Sequence, residues 1–323
     1  MHCIVSPTTD PVFNLAAEEY LFRNFVDDVL FLYINTPSVV VGKHQNAIAE
    51  INPLYIHEND IPIVRRMSGG GAVYHDRGNL NFSFHKTVDD TAKVRYSEFS
   101  KPIVEVLHDL GIPAEINSRN DIIVSGFKVS GHAQHVFRNR VLSHGTLLVN
   151  SDLTKLSASL KRSTGRFESR AIQSVRSPVT NVSDFSTESI TATHIITLLL
   201  ERIGRTNPGT EFIKLSSQEI REIETLAYEK YSTREWNYGY SPLYFFRNEI
   251  ETREGEKLNC CLSVDKGIIF DAKIEGTLIS PIDLYEFEQQ LCGLCHMVKP
   301  LRELISITPA LNDHCNDLIQ LLF

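Results

Sequence analysis

Apolar residues recur at helical spacing soon after Asp10-Pro11. Phe13, Ala16, Ala17, Tyr20, Leu21 and Phe25 fall on one stripe and predict a helix over 13–25. The next apolar runs are short and β-branched: residues 29–34 and 38–41, parted by Thr36-Pro37, read as two strands paired with each other. A short helix is expected after Asn52-Pro53, then a strand over 61–64. Residues 72–75 and 80–84 read as further strands. In the second, Leu80, Phe82 and Phe84 alternate with Asn81 and Ser83, the pattern of a half-buried strand. A helical pattern over 97–110 ends at Gly111, a residue suited to a C-cap. Strands over 122–124, 128–130 and 141–149 follow, the first two joined by a hairpin at Gly126. Past Val149 the pattern turns helical, near 152–160, 187–204 and 216–231. The turn formers of Asn237-Tyr-Gly-Tyr-Ser-Pro242 mark a boundary, beyond which 258–264 and 268–274 flank Asp265-Lys-Gly267 as a hairpin. This order predicts an α+β fold: a mixed, mostly antiparallel sheet with flanking helices over 1–240, and a small C-terminal α/β accessory domain over 241–323.

Composition narrows the class. With 323 residues, 42% hydrophobic and 22% charged, the chain is an ordinary globular protein with room for two domains. A net charge of −8 argues against a general nucleic-acid binder. A local basic run does exist, where Lys155, Lys161, Arg162, Arg166, Arg170 and Arg176 are opposed only by Glu168. The opening Met-His-Cys-Ile-Val-Ser-Pro lacks a charged segment ahead of an apolar one, and no apolar run nears the roughly 18 residues of a membrane span. The expectation is a cytoplasmic chain with no membrane partner and reduced cysteines. Cys292-Gly-Leu-Cys295-His296 has the spacing of covalent haem attachment, but that chemistry takes place outside the cytoplasm. The pentapeptide reads as part of an amphipathic helix, and no haem is expected. His132 and His135 lack a third ligand at a convincing spacing for metal.

Chemistry concentrates in three segments. Residues 65–84 begin Arg-Arg-Met-Ser-Gly-Gly-Gly-Ala-Val-Tyr-His-Asp. Gly69, Gly70 and Gly71 remove three side chains, so a ligand can approach backbone N–H groups, and Arg65 and Arg66 can fork onto phosphate or carboxylate. On residues alone, this anion cradle competes evenly with a glycine-rich turn. In the second segment, 120–133, Lys128 lies on a strand between Ser125-Gly126 and Ser130-Gly131. A lysine there can present a compact positive charge to phosphate or to a developing oxyanion; it can equally sit on a solvated sheet face. The third, Ser143-His-Gly-Thr-Leu-Leu148, opens an apolar strand with small polar groups. No P-loop, dinucleotide fingerprint or nucleophile elbow is present.

In this order and spacing the segments resemble the lipoate–protein ligase family, itself related to biotin protein ligases. The likeness includes Asn14-Leu-Ala-Ala-Glu-Glu19, Pro37-Ser-Val-Val-Val-Gly-Lys-His-Gln-Asn46, Ser174-Val-Arg-Ser177 and Trp236-Asn-Tyr-Gly239, so it covers nearly the whole chain. It implies activation of lipoate by ATP to lipoyl-AMP, with Mg2+ as counter-ion. The lipoyl group would then pass to a lysine of a lipoyl domain of a 2-oxoacid dehydrogenase E2 subunit or of glycine-cleavage H protein, the enzyme acting as a monomer. By the same resemblance, Lys128 would bridge the α-phosphate and the reacting carboxyl oxygens. Arg66, Ser68, Gly70, Gly71, Ala72, Val73, His75, Asn79, Asn120, Asp121, Ala133, His144, Gly145 and Thr146 would bind substrate or adenylate, Asp121 together with Mg2+. His75 and Asp76 can also be read as a locking hydrogen-bonded pair. The strands around 39–41 and Val73 would line the acyl pocket, and residues 162–176 would close over the adenylate; the basic run 155–176 could instead be a docking surface for the acceptor. His132 stands where the family often has a small residue. Two alternatives stay open: a lipoyl or octanoyl transferase that makes no adenylate, and a non-catalytic lipoate-binding homologue. The first needs a cysteine nucleophile in some relatives, and none lies between Cys3 and Cys260.

Overall fold

A computed structural model describes residues 1–91, 94–161, 165–252 and 255–323. The chain gathers into two compact units. Met1–Lys43, Val64–Leu156 and Ser174–Thr233 make the first; His44–Ile63, Ser157–Gln173 and Arg234–Phe323 make the second. The second unit therefore takes two excursions from the region 1–240 as well as the C-terminal part.

The first unit is built on a six-stranded sheet. Its order is His132–Phe137, Arg140–Leu148, Asn79–Thr87, Val29–Ile34, His2–Val5 and Glu211–Phe212. The first four strands pair antiparallel, and His2–Val5 lies parallel to both its neighbours, so the sheet is mixed and mostly antiparallel as expected. The runs 29–34 and 38–41 do not pair with each other. Val29–Ile34 joins this sheet, whereas Ser38–Val41 is the centre of a separate three-stranded sheet between Ile63–Arg65 and Val73–His75. Thr36-Pro37 is thus a crossover between sheets, because Pro37 has no N–H with which to continue a hairpin ladder.

Alternation along Asn79–Thr87 sends Leu80, Phe82 and Phe84 to one face. There they pack with Leu30, Leu32, Val141 and Leu147 against the helices Tyr96–Asp109 and Ala192–Thr206. Each such large apolar side chain contributes roughly 1.5–3 kcal/mol on burial. The strand is not half-exposed as its pattern suggested. Its polar alternates are also buried: Asn79 is 0%, Asn81 2%, Ser83 0% and His85 1% exposed. The helix Pro11–Asn24, started by Asp10 accepting from the Val12 N–H at 2.9 Å, lies against this second face. It buries Asn14, Glu18 and Glu19 along with Leu15, Ala16 and Leu21, so the face is a polar interior rather than a solvated surface.

A third small sheet, Ala114–Ile116, Ile122–Val124 and Phe127–Ser130, carries the lysine segment. Its hairpin turns through Ser125 and Gly126, both at positive φ (50° and 84°), the two-residue turn that matches strand twist.

The second unit holds the four-stranded antiparallel sheet Arg166–Ser169, Tyr244–Glu251, Lys257–Asp265 and Ile268–Glu275 with C-terminal helices. Cys292 to His296 is not on a helix. Pro281–Leu291 stops at Cys292, and Gly293 turns the chain at φ 93°. His296 accepts from the Tyr244 hydroxyl at Nδ1 (2.7 Å) and donates to the Leu322 carbonyl from Nε2 (2.7 Å), stacked on Phe323. Its role is to pin the C-terminal segment.

Of the basic run, Arg162 lies outside the described residues. Lys155 and Arg176 belong to the first unit, and Lys161, Arg166 and Arg170 to the second.

Candidate functional site

The two arginines ahead of the glycines do not reach outward for an anion. Arg65 is fully buried and donates from Nη1 to the carbonyls of Gly42 (2.8 Å) and Lys43 (3.2 Å). Arg66 lies beneath the glycine loop. Its Nη2 donates to the carbonyls of Gly69 (2.6 Å) and Gly71 (2.8 Å), its Nη1 to Val40 (3.3 Å), and its Nε to Ser68 Oγ (3.1 Å). The expected phosphate fork of Arg66 is therefore corrected to a fork on the loop itself. The physical reason is that part-buried loop carbonyls have no ladder partner and take the donor beneath them. Burial lowers Arg66 to about 10, which leaves it charged at neutral pH.

Arg66 nevertheless sets the direction of the loop's N–H groups from behind. In a trans peptide the C=O and the following N–H point in opposite directions. With the Gly69 and Gly71 carbonyls drawn down onto Arg66, the N–H groups of Gly70 and Ala72 face the other way. The Ala72 N–H there donates to Ser174 Oγ at 2.8 Å. Gly70 sits at φ 92°, and a Cβ on Gly42 would lie 2.1 Å from the Gly70 carbonyl oxygen, so the two loops meet backbone to backbone.

Ser68 anchors the loop to the sheet's polar face. Its Oγ lies 2.6 Å from His144 Nε2, and His144 Nδ1 is 2.9 Å from the Glu18 carboxylate, which also accepts from the Tyr33 hydroxyl at 3.1 Å. Burial alone would raise the Glu18 pKa. His144 and Tyr33 override it, and the carboxyl is held below its ordinary value. Its neighbour Glu19 is likewise held down against burial by Lys230 (2.5 Å), Tyr231 (2.6 Å) and Arg23. Such groups stabilise the fold fully above the ordinary carboxylate range, and the contribution is lost as pH falls through the lower folded value. Glu18→Gln should therefore cost stability at neutral pH yet flatten the acid loss. Urea midpoints measured from about pH 7 to about pH 3 check this, since the wild-type protein should fall more steeply than the variant.

Lys128 stands at the end of its small sheet, held by backbone bonds from its N–H to Pro178 (3.0 Å) and from the Thr180 N–H to its carbonyl (3.1 Å). Its Nζ pairs with Asp121 Oδ1 at 2.8 Å. Asp121 follows Asn120, which is half-buried at φ 63°, and its N–H is tied to Asn117. A Cβ on Gly131 would stand 3.1 Å from both Lys128 Cε and Nζ, so the absence of a side chain there lets the lysine lie across the strand. Gly145 does the same one strand over, where a Cβ would meet Phe82 at 2.5 Å and the Gly131 carbonyl at 2.9 Å. Thr146 donates its N–H to that carbonyl at 3.1 Å. Ala133 pairs with His144, and a Cβ on Gly70 would reach the Ala133 methyl at 3.7 Å. Lysine strand, His144 strand and glycine loop are thus neighbours.

Asp121, expected to bind substrate together with Mg2+, pairs with Lys128 in this structure. No group of three His, Cys, Asp or Glu that could hold a metal is found among the described residues, whereas a Mg2+ carried by nucleotide phosphates needs only one or two carboxylates. One expectation changes. His75 and Asp76 do not lock each other. His75 Nδ1 meets Asn35 Nδ2 at 3.0 Å, while Asp76 accepts from the backbones of Gly78 and Asp152, each at 2.8 Å. Asn79 donates to Asn81 at 2.9 Å, and Val73 shares its strand face with His75. His132 packs its ring on Phe82 with centroids 5.0 Å apart, and burial lowers it to about 4, so it is neutral.

Glu18, Tyr33, Asn35 and Ser174 bond to these residues; sequence reasoning gave none of them a role, although Glu18 and Ser174 lie in segments that carry the family resemblance. A signal existed for the helix: Asn14 and Glu18, four residues apart, interrupt an otherwise apolar stripe.

The model of the lipoyl protein ligase A/B catalytic domain family matches residues 10–204. The chain is 41% identical to lipoate–protein ligase 1 of Staphylococcus aureus over 301 residues, covering 92% of this chain and 91% of the relative. To the lipoate-protein ligase LplJ of Bacillus subtilis it is 40% identical over 288 residues, 88% and 87% of the two chains. A crystal structure of lipoate-protein ligase A bound with ATP superposes with TM-score 0.63 at 30% identity, covering 74% of this chain and 98% of that one. The bipartite lipoate protein ligase of Thermoplasma acidophilum, described with its E2 lipoyl domain, gives TM-score 0.63 at 29% identity over 74% and 96%.

Proposed function

The chain belongs to the lipoyl protein ligase A/B catalytic domain family, and on that footing we propose that it is an ATP-dependent lipoate–protein ligase. Lipoate attacks the α-phosphorus of ATP through a carboxylate oxygen, forming lipoyl-AMP and releasing pyrophosphate. An acceptor lysine amine then attacks the acyl carbon; the amide forms, AMP leaves, and the amine gives up a proton.

What carries the reading in the structure is Lys128, set across Gly131 beside a loop whose Gly70 and Ala72 N–H groups face away from Arg66. Two anions must meet in the first step, and a fixed ammonium with oriented backbone donors lowers that barrier without reorganising. Lys128 would hold the α-phosphate and acyl oxygens in both steps, leaving Asp121 to take up its charge when no ligand is bound. Mg2+ would arrive with the nucleotide phosphates, which supply most of its oxygens. The acceptor would be a lysine on a lipoyl domain, of an E2 subunit or of glycine-cleavage H protein. Every residue named comes from one copy of the chain, so the reading needs no second copy.

The test is lipoate-dependent exchange of labelled pyrophosphate into ATP. Exchange that requires lipoate is the expected result. Acyl transfer from a preformed donor without exchange indicates a transferase, and lipoate binding with neither activity indicates a non-catalytic homologue.

A further inference from the structure

A second buried chain of polar groups ends on His75. Ser6 Oγ donates to Asn14 Oδ1 at 2.5 Å. Asn14 Nδ2 faces three oxygens, the carbonyls of Thr8 (3.2 Å) and Ile34 (3.4 Å) and Asn35 Oδ1 (2.8 Å). Backbone carbonyls only accept, so the orientation of the Asn14 amide is fixed, and with it that of Asn35. Asn35 must then present its NH2 to His75 Nδ1 at 3.0 Å. An imidazole nitrogen that accepts carries no proton, so the neutral ring holds its hydrogen on Nε2. That atom is buried and has no hydrogen-bond partner among the described residues. Alternation on Val73–His75 places it on the side of Val73, directly after the glycine loop. A buried donor left unsatisfied is destabilising, and a ligand oxygen would relieve it.

Resting on the ligase reading, we propose that His75 is a neutral hydrogen-bond donor to an oxygen of the bound acyl-adenylate. Asn35 and Asn14 are the positioning residues that fix its tautomer. Arg66, Glu18 and His144 are the charged and titratable groups that act on the ring; burial first, and then Arg66, lowers it to about 3. His75 is therefore uncharged throughout the working pH range, and its donor does not depend on protonation.

Two-bond nitrogen–proton correlation on the labelled, full-length protein reads the tautomer directly. The proton should be on Nε2 in the resting protein, and adding lipoate with ATP should move that resonance. A proton on Nδ1, or an Nε2 signal that ignores the added substrates, overturns the proposal. The resting tautomer can be read even if pyrophosphate exchange fails, so the two conclusions fail separately. Asn35→Asp keeps the shape but offers an acceptor, which pulls the proton to Nδ1 and strips Nε2 of its donor. The same correlation should then show the exchanged tautomer, and pyrophosphate exchange should fall about tenfold or more. A proton still on Nε2 in that variant, or undiminished exchange, counts against the proposal. His75→Gln, which can still donate, should retain about tenfold more exchange than His75→Met, and equal losses would overturn it.

Discussion

Replacing Lys128 with alanine is expected to lower the rate of pyrophosphate exchange, and of lipoyl transfer from added lipoyl-AMP, by about 10³-fold or more while the protein stays folded. Removing a single preorganised donor from a transition state typically costs 10²–10³ in rate, and Lys128 would serve both half-reactions. The fold should tolerate the change because the Lys128 and Asp121 side chains are 27% and 12% exposed and their ion pair is partly screened. A pair of that kind is worth about 0–1 kcal/mol. Lysine and arginine are not interchangeable here, since Cε and Nζ pass so close to Gly131. Single-turnover assays of each step, with a thermal melt beside them, check both halves. Wild-type turnover in the alanine variant would remove Lys128 from the mechanism.

Arg66→Met should have the largest effect on the folded state. The methionine fills the volume of the stem, but the buried Val40 carbonyl and Ser68 hydroxyl and the part-buried carbonyls of Gly69 and Gly71 lose their donor. Stranding several acceptors at once should cost about 3–5 kcal/mol. Where the variant folds, the loop carbonyls are free to rotate, and the Gly70 and Ala72 N–H groups lose their common direction. Exchange should then fall even at saturating ATP. Denaturant titration followed by kinetics on the folded fraction separates the two losses. An Arg66→Met protein of wild-type stability would mean the guanidinium is not what holds the loop.

Much of this was legible in the sequence, and the misses share a cause. The helix 13–25, the hairpin at Gly126 and the cap at Gly111 follow local rules of spacing and turn chemistry, and the structure has them within a residue or two. The strand His132–Phe137 was invisible, because His-Ala-Gln-His-Val-Phe has no apolar alternation and its conformation is imposed by pairing with Arg140–Leu148. At the site, glycines and Lys128 announce themselves, since a Gly triad is uncommon and Lys128 lies between two glycine turns. The direction in which Arg66 points does not. An arginine beside glycines reads as an anion ligand until the structure shows that the nearest unsatisfied oxygens are the loop's own. Asn35 and Glu18 were hidden for a related reason: a buried polar residue is recognisable only once its partner, forty or more than a hundred residues away, is known.

The strand Asn79–Thr87 buries apolar side chains on one face and Asn79, Asn81, Ser83 and His85 on the other. Core and site are therefore written into the same backbone, offset by one residue. Sliding that strand by a single position would drive its amides and imidazole against Ile103 and Leu107 and leave phenylalanines on the face that packs against the polar side of the helix Pro11–Asn24. A misregistered molecule would thus be neither stable nor active, and whatever folds to the native core has, by the same ladder of hydrogen bonds, already set its chemistry in place.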